Sequence, residues 1–197
     1  MVNVPTSPTH IVLFHSGLGL RPQVHAWKAE LEAEGFTVHT PDLYDGEVFD
    51  DLDRGVAKRD AVGVPELSRR ASAAVEHLPT DVIYAGFSLG AASAQALALM
   101  RPGARGLVMM HAALPMVALG NPEWPEGLRA QFHASIEDPW VEASAVDSLR
   151  AAAPAGALEV FRYDGGAHLF ADGDFSDYDA TAAQTMFDRL KSFARKA

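Results

Sequence analysis

The chain has no cysteine among its 197 residues. That excludes disulfides, thiolate metal sites and cysteine nucleophiles, and it sets the expectation of a cytoplasmic protein. Basic residues are few: 16 Lys and Arg stand against 26 Asp and Glu, a net charge of −10. Nucleic acid is held chiefly by Lys and Arg on phosphates, so no nucleic-acid partner is expected. No apolar run is long enough to cross a bilayer, so no membrane partner is expected either. The opening MVNVPTSPTHIVLFH lacks a basic stretch, so no signal peptide is expected. No histidine pair has metal-ligand spacing, and Asp51-x-Asp53 with Gly55 lacks the closing Glu of a calcium loop. Neither metal nor cofactor is expected.

What is present suits one globular unit. Hydrophobic residues make up 48% of the chain and charged residues 21%, ordinary values at this length, so residues 1–197 read as a single domain. The most informative stretch is Asp81 to Met100, DVIYAGFSLGAASAQALALM. Its first part is rich in strand formers and its second in Ala and Leu, a helix. Gly86-Phe87-Ser88-Leu89-Gly90 lies between them, a G-x-S-x-G sequence at a strand-to-helix junction. That is the context of a nucleophile elbow, in which a serine stands on a tight turn above a sheet end. Backbone passes close to the positions two before and two after the serine, where a Cβ would collide. The turn also puts Ser88 at a helix N-terminus, which favours developing negative charge.

The remaining chain alternates strands and helices. Thr9–His15, Phe36–Leu43, Gly106–Leu114, Leu128–Ile136 and Ala157–Tyr163 read as strands. Pro22–Glu34 reads as a helix with Val24, Trp27, Leu31 and Ala33 on or near one face and Gly35 as its C-cap. Val64–Leu78 and Glu142–Ala153 read as further helices. A last one runs to about Arg195, capped by Asp177 or Asp179, with Tyr178, Ala182, Met186, Leu190 and Phe193 as its stripe. Tyr44–Gly63 reads as an acidic loop or short helix. This order predicts an α/β fold: an open, mostly parallel sheet with helices on both faces. Ligands bind such sheets beyond the C-terminal strand ends. Ser16–Gly19, Tyr44, Ser88, His111, Asp138 and His168 all fall there.

A serine hydroxyl needs a base, and the base needs a partner that fixes its tautomer. The elbow architecture orders them as Ser, acid, His. Asp138 and His168 follow successive strands in that order, with Asp147 and Glu137 as competing acids and His111 as a rival base. The oxyanion of the attacked carbonyl requires two N–H donors. Leu89 supplies one, and Gly17 the other, with Leu18 next. Gly17-x-Gly19 followed by Asp42 is also a fragment of a dinucleotide fingerprint, but Pro22 stands where its third glycine belongs.

Taken together, HSGLGLRPQVHAWKAELEAEGFTV, TPDLYDG, GFSLG, EDPWV and GGAHLF resemble the dienelactone hydrolase family of α/β-hydrolases over nearly the whole chain. The resemblance implies an α/β-hydrolase fold, and the short chain shows no insertion long enough for a separate lid domain. It puts the nucleophile on Ser88, the acid on Asp138, the base on His168 and the oxyanion donors on Gly17 and Leu89. The founding enzymes differ: they use cysteine as nucleophile, a glutamate where Ser16 stands, and an arginine shortly after the histidine to bind a carboxylate. Here Leu169, Phe170, Ala171 and Asp172 follow the histidine, and Arg54 and Arg59 are the candidates for a replacement clamp. The expected function is hydrolysis of a small carboxylic ester or lactone through an acyl-enzyme on Ser88. A thioesterase or acyltransferase with the same triad, or a non-catalytic ligand-binding protein, is the alternative. The expected pocket is shallow and partly open, lined by Leu18, Tyr44, Phe87, His111, Met116, Trp124 and Phe170. The partner is a small molecule, and the protein a monomer or small homo-oligomer.

Overall fold

A computed structural model describes residues 8–197. The part of the signal-peptide reading that rests on residues 1–7 lies outside the described residues. Six strands, β1 (His10–Phe14), β2 (Thr37–His39), β3 (Ile83–Phe87), β4 (Gly106–Met110), β5 (Arg129–Ser135) and β6 (Leu158–Tyr163), form one sheet in the order β2-β1-β3-β4-β5-β6. Every pairing is parallel. The fold is that of an α/β-hydrolase, as expected. Strand order reverses at β1: the chain first adds β2 on one side, then crosses to β3 on the other. A crevice opens at such a switch point beyond the strand ends.

The helices are α1 (Pro22–Ala33), α2 (Leu52–Val62), α3 (Val64–Val75), α4 (Leu89–Met100), α5 (Ala143–Ala152) and α6 (Ala180–Ala194). Successive strand residues point to opposite faces, so each face receives its own core. Ile11, Leu13, Ile83 and Ala85 meet Val24, Trp27 and Leu31 of α1 and Met186, Phe187 and Leu190 of α6. Val12, Phe14, Tyr84 and Leu107 meet Leu67 and Ala71 of α3, Ala94 and Ala98 of α4, and Leu149 of α5. Each large side chain so buried contributes about 1.5–3 kcal/mol. Among the described residues no helix is long and apolar enough to cross a membrane.

Local differences from the sequence expectations have local causes. β2 stops at His39 because the chain turns immediately after: the Asp42 carboxylate accepts the N–H groups of Tyr44 (2.8 Å) and Gly46 (2.5 Å). The acidic connection contains the helix α2, started by Asp51, whose carboxylate accepts the Arg54 N–H at 2.9 Å. Ala33 is exposed, since it lies about 200° around the helix from Leu31. Tyr178 is 45% exposed because α6 begins after it, at the cap residue Asp179. A single 3-10 turn, Met116–Leu119, interrupts the loop after β4.

Candidate active site

Ser88 follows β3 and caps α4 with φ 50° and ψ −108°. A non-glycine residue holds such a backbone only where its surroundings enforce it. Here the Ser88 N–H donates to Met110 O at 2.7 Å, fixing the turn against β4. The flanking glycines are obligatory on steric grounds. A Cβ on Gly86 would lie 2.2 Å from Gly90 O, and one on Gly90 would lie 2.4 Å from His15 O.

Asp138 follows β5 and His168 follows β6, and the two loops are tied together. Glu137 N–H donates to Gly165 O at 3.0 Å, and Ser135 Oγ donates to Ala167 O at 2.6 Å. The three side chains predicted from the sequence form one continuous series. His168 Nε2 lies 2.9 Å from Ser88 Oγ, and His168 Nδ1 lies 2.8 and 3.1 Å from the two Asp138 oxygens. With Nδ1–H donating to the carboxylate, Nε2 presents its lone pair to the hydroxyl. Asp138 and His168 are almost fully buried, and Asp138 also accepts the Trp140 N–H at 2.9 Å. The rival acids are elsewhere: Glu137 is exposed, and Asp147 pairs with Arg150 at 3.2 Å.

Leu89 is the first residue of α4, so its N–H has no acceptor within the helix. In the loop after β1, the Leu18 N–H is already taken by Ser16 Oγ at 3.1 Å, which leaves Gly17 as the better of the two candidate donors. Gly55 of α2 packs onto that loop so closely that a Cβ there would lie 2.3 Å from Gly17 O. Sequence reasoning had assigned Gly55 no role beyond a failed calcium loop.

Gly17, Ser88, Leu89, Trp140 and His168 border one end of a groove of about 1480 Å³. It is far larger than the shallow pocket expected, and none of the predicted pocket residues lines it. Leu18 and Tyr44 are wholly buried; the Tyr44 hydroxyl donates to Gly55 O at 3.2 Å, and burial pushes its pKa up to about 12. Phe87 points to the opposite sheet face from Ser88, its ring 4.9 Å from Trp27. Met116 lies in the core, and Trp124 is pinned by its indole N–H donating to Leu128 O at 2.9 Å. Phe170 is buried against Tyr163 and His111, at 4.9 and 4.6 Å between rings. His111 is wholly buried with no partner for either ring nitrogen, and burial holds its pKa well below the ordinary value. With Phe87 it borders a separate cavity of only about 10 Å³.

Of the two candidate clamps, Arg59 borders the groove and Arg54 does not. Arg59 is bound to Asp60 at 2.8 Å, and Arg54 lies over the Phe49 ring at 5.7 Å. Asp172, which stands near the founding enzymes' arginine position, instead meets Arg21. Their Nε and Oδ2 are 2.8 Å apart, but the N–H is not aligned along that line, so the contact is an ion pair without a well-formed hydrogen bond. Trp140 was also missed: it is 46% exposed, and its ring lies 5.5 Å from that of His168. Its position two residues after the acid was the available signal.

A model of the family described as "Dienelactone hydrolase family" matches residues 1–197. A pimeloyl-[acyl-carrier protein] methyl ester esterase from Klebsiella pneumoniae is 29% identical over 128 residues, 65% of this chain; the match spans only 45% of that enzyme's length. Among solved structures, a dienelactone hydrolase-like promiscuous phosphotriesterase from metagenomic libraries superposes with a TM-score of 0.79 at 22% identity, over 97% of this chain and 87% of that one. Thermogutta terrifontis esterase 2, crystallised phosphonylated by cyclosarin, gives 0.68 at 16% identity, over 96% and 83%. At these identities the structural likeness is one of fold.

Proposed function

The chain belongs to the dienelactone hydrolase family, and on that premise we propose that it is a single-domain serine hydrolase that cleaves carboxylic esters through an acyl-enzyme. The observation that carries this reading is the unbroken series Ser88 Oγ, His168 Nε2, His168 Nδ1, Asp138, with its separations of 2.9 and 2.8 Å. Ser88 Oγ attacks the ester carbonyl as His168 Nε2 takes its proton. The N–H groups of Gly17 and Leu89 hold the resulting oxyanion, each such donor being worth about a hundred- to a thousandfold in rate. Collapse breaks the bond to the alkoxide, which leaves with the proton from Nε2. A water molecule, deprotonated by the same nitrogen, then attacks the acyl-enzyme and frees Ser88. Asp138 keeps Nδ1 protonated and stabilises the imidazolium. The lack of cysteine is the ground for assigning the activity to the cytoplasm.

The test is Ser88→Ala. Turnover of p-nitrophenyl acetate falls by at least about ten-thousandfold with the thermal melt preserved, and a fluorophosphonate probe labels the wild type at Ser88 alone. Full activity in the variant, or a wild type that resists the probe, overturns the assignment and leaves a hydrolase fold used for binding.

A further inference from the structure

The groove does not stop at Ser88. It follows α4 from Leu89 to Met100, with Ala92, Ser93, Ala96 and Leu97 as its floor and Leu67 of α3 and Leu119 of the 3-10 turn on its walls. Twelve helical residues extend about 18 Å, the length of an alkyl chain of about fourteen carbons. At about 1480 Å³ the groove exceeds the ~300–1,000 Å³ usual for a compact small-molecule site. Its width has a sequence cause: between Leu89 and Met100 at the two ends of α4, the side chains turned outward are Ala92, Ser93 and Ala96, so its neighbours leave a channel over them.

The arginines beside this channel are each held by hydrogen bonds or ion pairs, and the carboxylates of Glu76 and Glu142, which have no cationic partner among the described residues, border it as well. Arg59 is held by Asp60, and Arg69 by Glu66 at 2.7 Å. Arg101 donates to Leu78 O at 2.7 Å, Tyr84 Oη at 2.8 Å and Pro79 O at 3.2 Å. No lysine borders it. A substrate carboxylate would meet Glu76 and Glu142 here, and Arg101, the one bordering arginine without a carboxylate partner, has its guanidinium turned to Leu78 O, Pro79 O and Tyr84 Oη; an uncharged hydrocarbon needs no counter-charge.

We propose that the groove is an acyl-chain site, and that the preferred substrates are esters of linear fatty acids of about ten to fourteen carbons. This rests on the serine-hydrolase reading and names its substrate class. Direction follows from the chemistry. The acyl carbon bonds to Ser88 Oγ at the N-terminus of α4, while the leaving oxygen must face His168 Nε2. The acyl tail therefore takes the path along α4, and the alcohol leaves past Trp140. The same continuity with the reacting serine favours an acyl chain over a second copy of the protein as occupant.

The experiment is a series of p-nitrophenyl esters from butyrate to dodecanoate, kept below their micelle concentrations. A methylene half removed from water raises kcat/KM about twofold, so the rise over the eight methylenes of the series is about 250-fold. Ala96→Trp, midway along the floor, lowers the dodecanoate-to-butyrate ratio at least tenfold; Ser93→Trp serves if that variant melts early. A flat or falling profile in a protein whose Ser88 is labelled by fluorophosphonate overturns the acyl-chain site while the serine-hydrolase reading stands. An unlabelled Ser88 overturns both. Sedimentation is run alongside: a dimer that dissociates in Ala96→Trp, with no change in chain-length preference, assigns the groove to self-association and also overturns the proposal.

Discussion

Replacing Gly90 by Ala tests whether the elbow is held by contact with the sheet. The added Cβ would lie 2.4 Å from His15 O, 2.6 Å from Phe14 O and 2.7 Å from Phe14 C. All three are backbone atoms, and Phe14 ends a strand paired on both sides, so no side chain can rotate away. Overpacking of a core usually costs about 1–3 kcal/mol and more where the neighbours cannot yield; here it stands at or above the top of that range. Helix propensity opposes it, because Ala is preferred to Gly in a helix by about 1 kcal/mol. The net loss is at least about 2 kcal/mol, which for a chain of this size lowers Tm by at least about 4–8 °C. Whatever shift relieves the overlap also moves Ser88, and a displacement near 1 Å costs on the order of a hundredfold in turnover. Circular-dichroism melts and p-nitrophenyl acetate hydrolysis, both measured well below the variant's Tm, read the two effects. Gly17→Ala is the control for stability, since nothing lies within 4 Å of a Cβ there. A Gly90→Ala protein that melts within 2 °C of wild type and keeps its turnover refutes the steric account of the motif.

Buried histidines make the fold acid-sensitive. Burial holds His133 at a pKa of about 3 and His111 well below its usual value, and lowers that of His15. Each is neutral when folded and takes a proton near pH 6.5 when unfolded, so stability is full above about pH 7 and declines as pH falls below 6.5, for His133 down to about pH 3. At pH 5 the loss is about 2 kcal/mol for His133, to which His111 and His15 add in the same direction; Tm falls by at least about 4 °C, and a decline under 3 °C between pH 7.5 and 5 contradicts it. Asp172→Asn tests the ion pair with Arg21, whose side chains are 12% and 8% exposed. An arginine left buried without its counter-charge costs about 3–5 kcal/mol, so the variant melts at least about 6 °C lower, whereas a melt matching wild type means the pair contributes nothing.

The convergence of Ser88, Asp138 and His168 was legible because their positions follow from sheet rules. Ser88, Asp138 and His168 each come just after a strand, and parallel strands deliver such residues to one edge. The strand-to-helix switch around Gly86 and Gly90 marks where backbone elements touch, and a glycine there has a local steric cause. The groove was not legible, for a reason that runs opposite to intuition. Large apolar residues near the strand ends were expected to line it, but their size is what buries them. Tyr44, Leu18 and Phe170 fill the interior beneath the site, and Phe87, one residue before Ser88, is sent to the other face by strand alternation. A groove exists where side chains are short. Ala92, Ser93 and Ala96 read in the sequence only as good or tolerable helix residues, and nothing local says whether their outward face will be covered. That depends on how far α3, the 3-10 turn and α5 stand from α4, which is a property of distant segments. The Arg21–Asp172 pair is hidden in the same way, joining the loop before α1 to the loop before α6. On the proposed reading the reaction is written in local motifs and the substrate in the spacing between helices; a change of specificity would then need only exchanges such as Trp for Ala on the outer face of α4, with Ser88, Asp138 and His168 left in place.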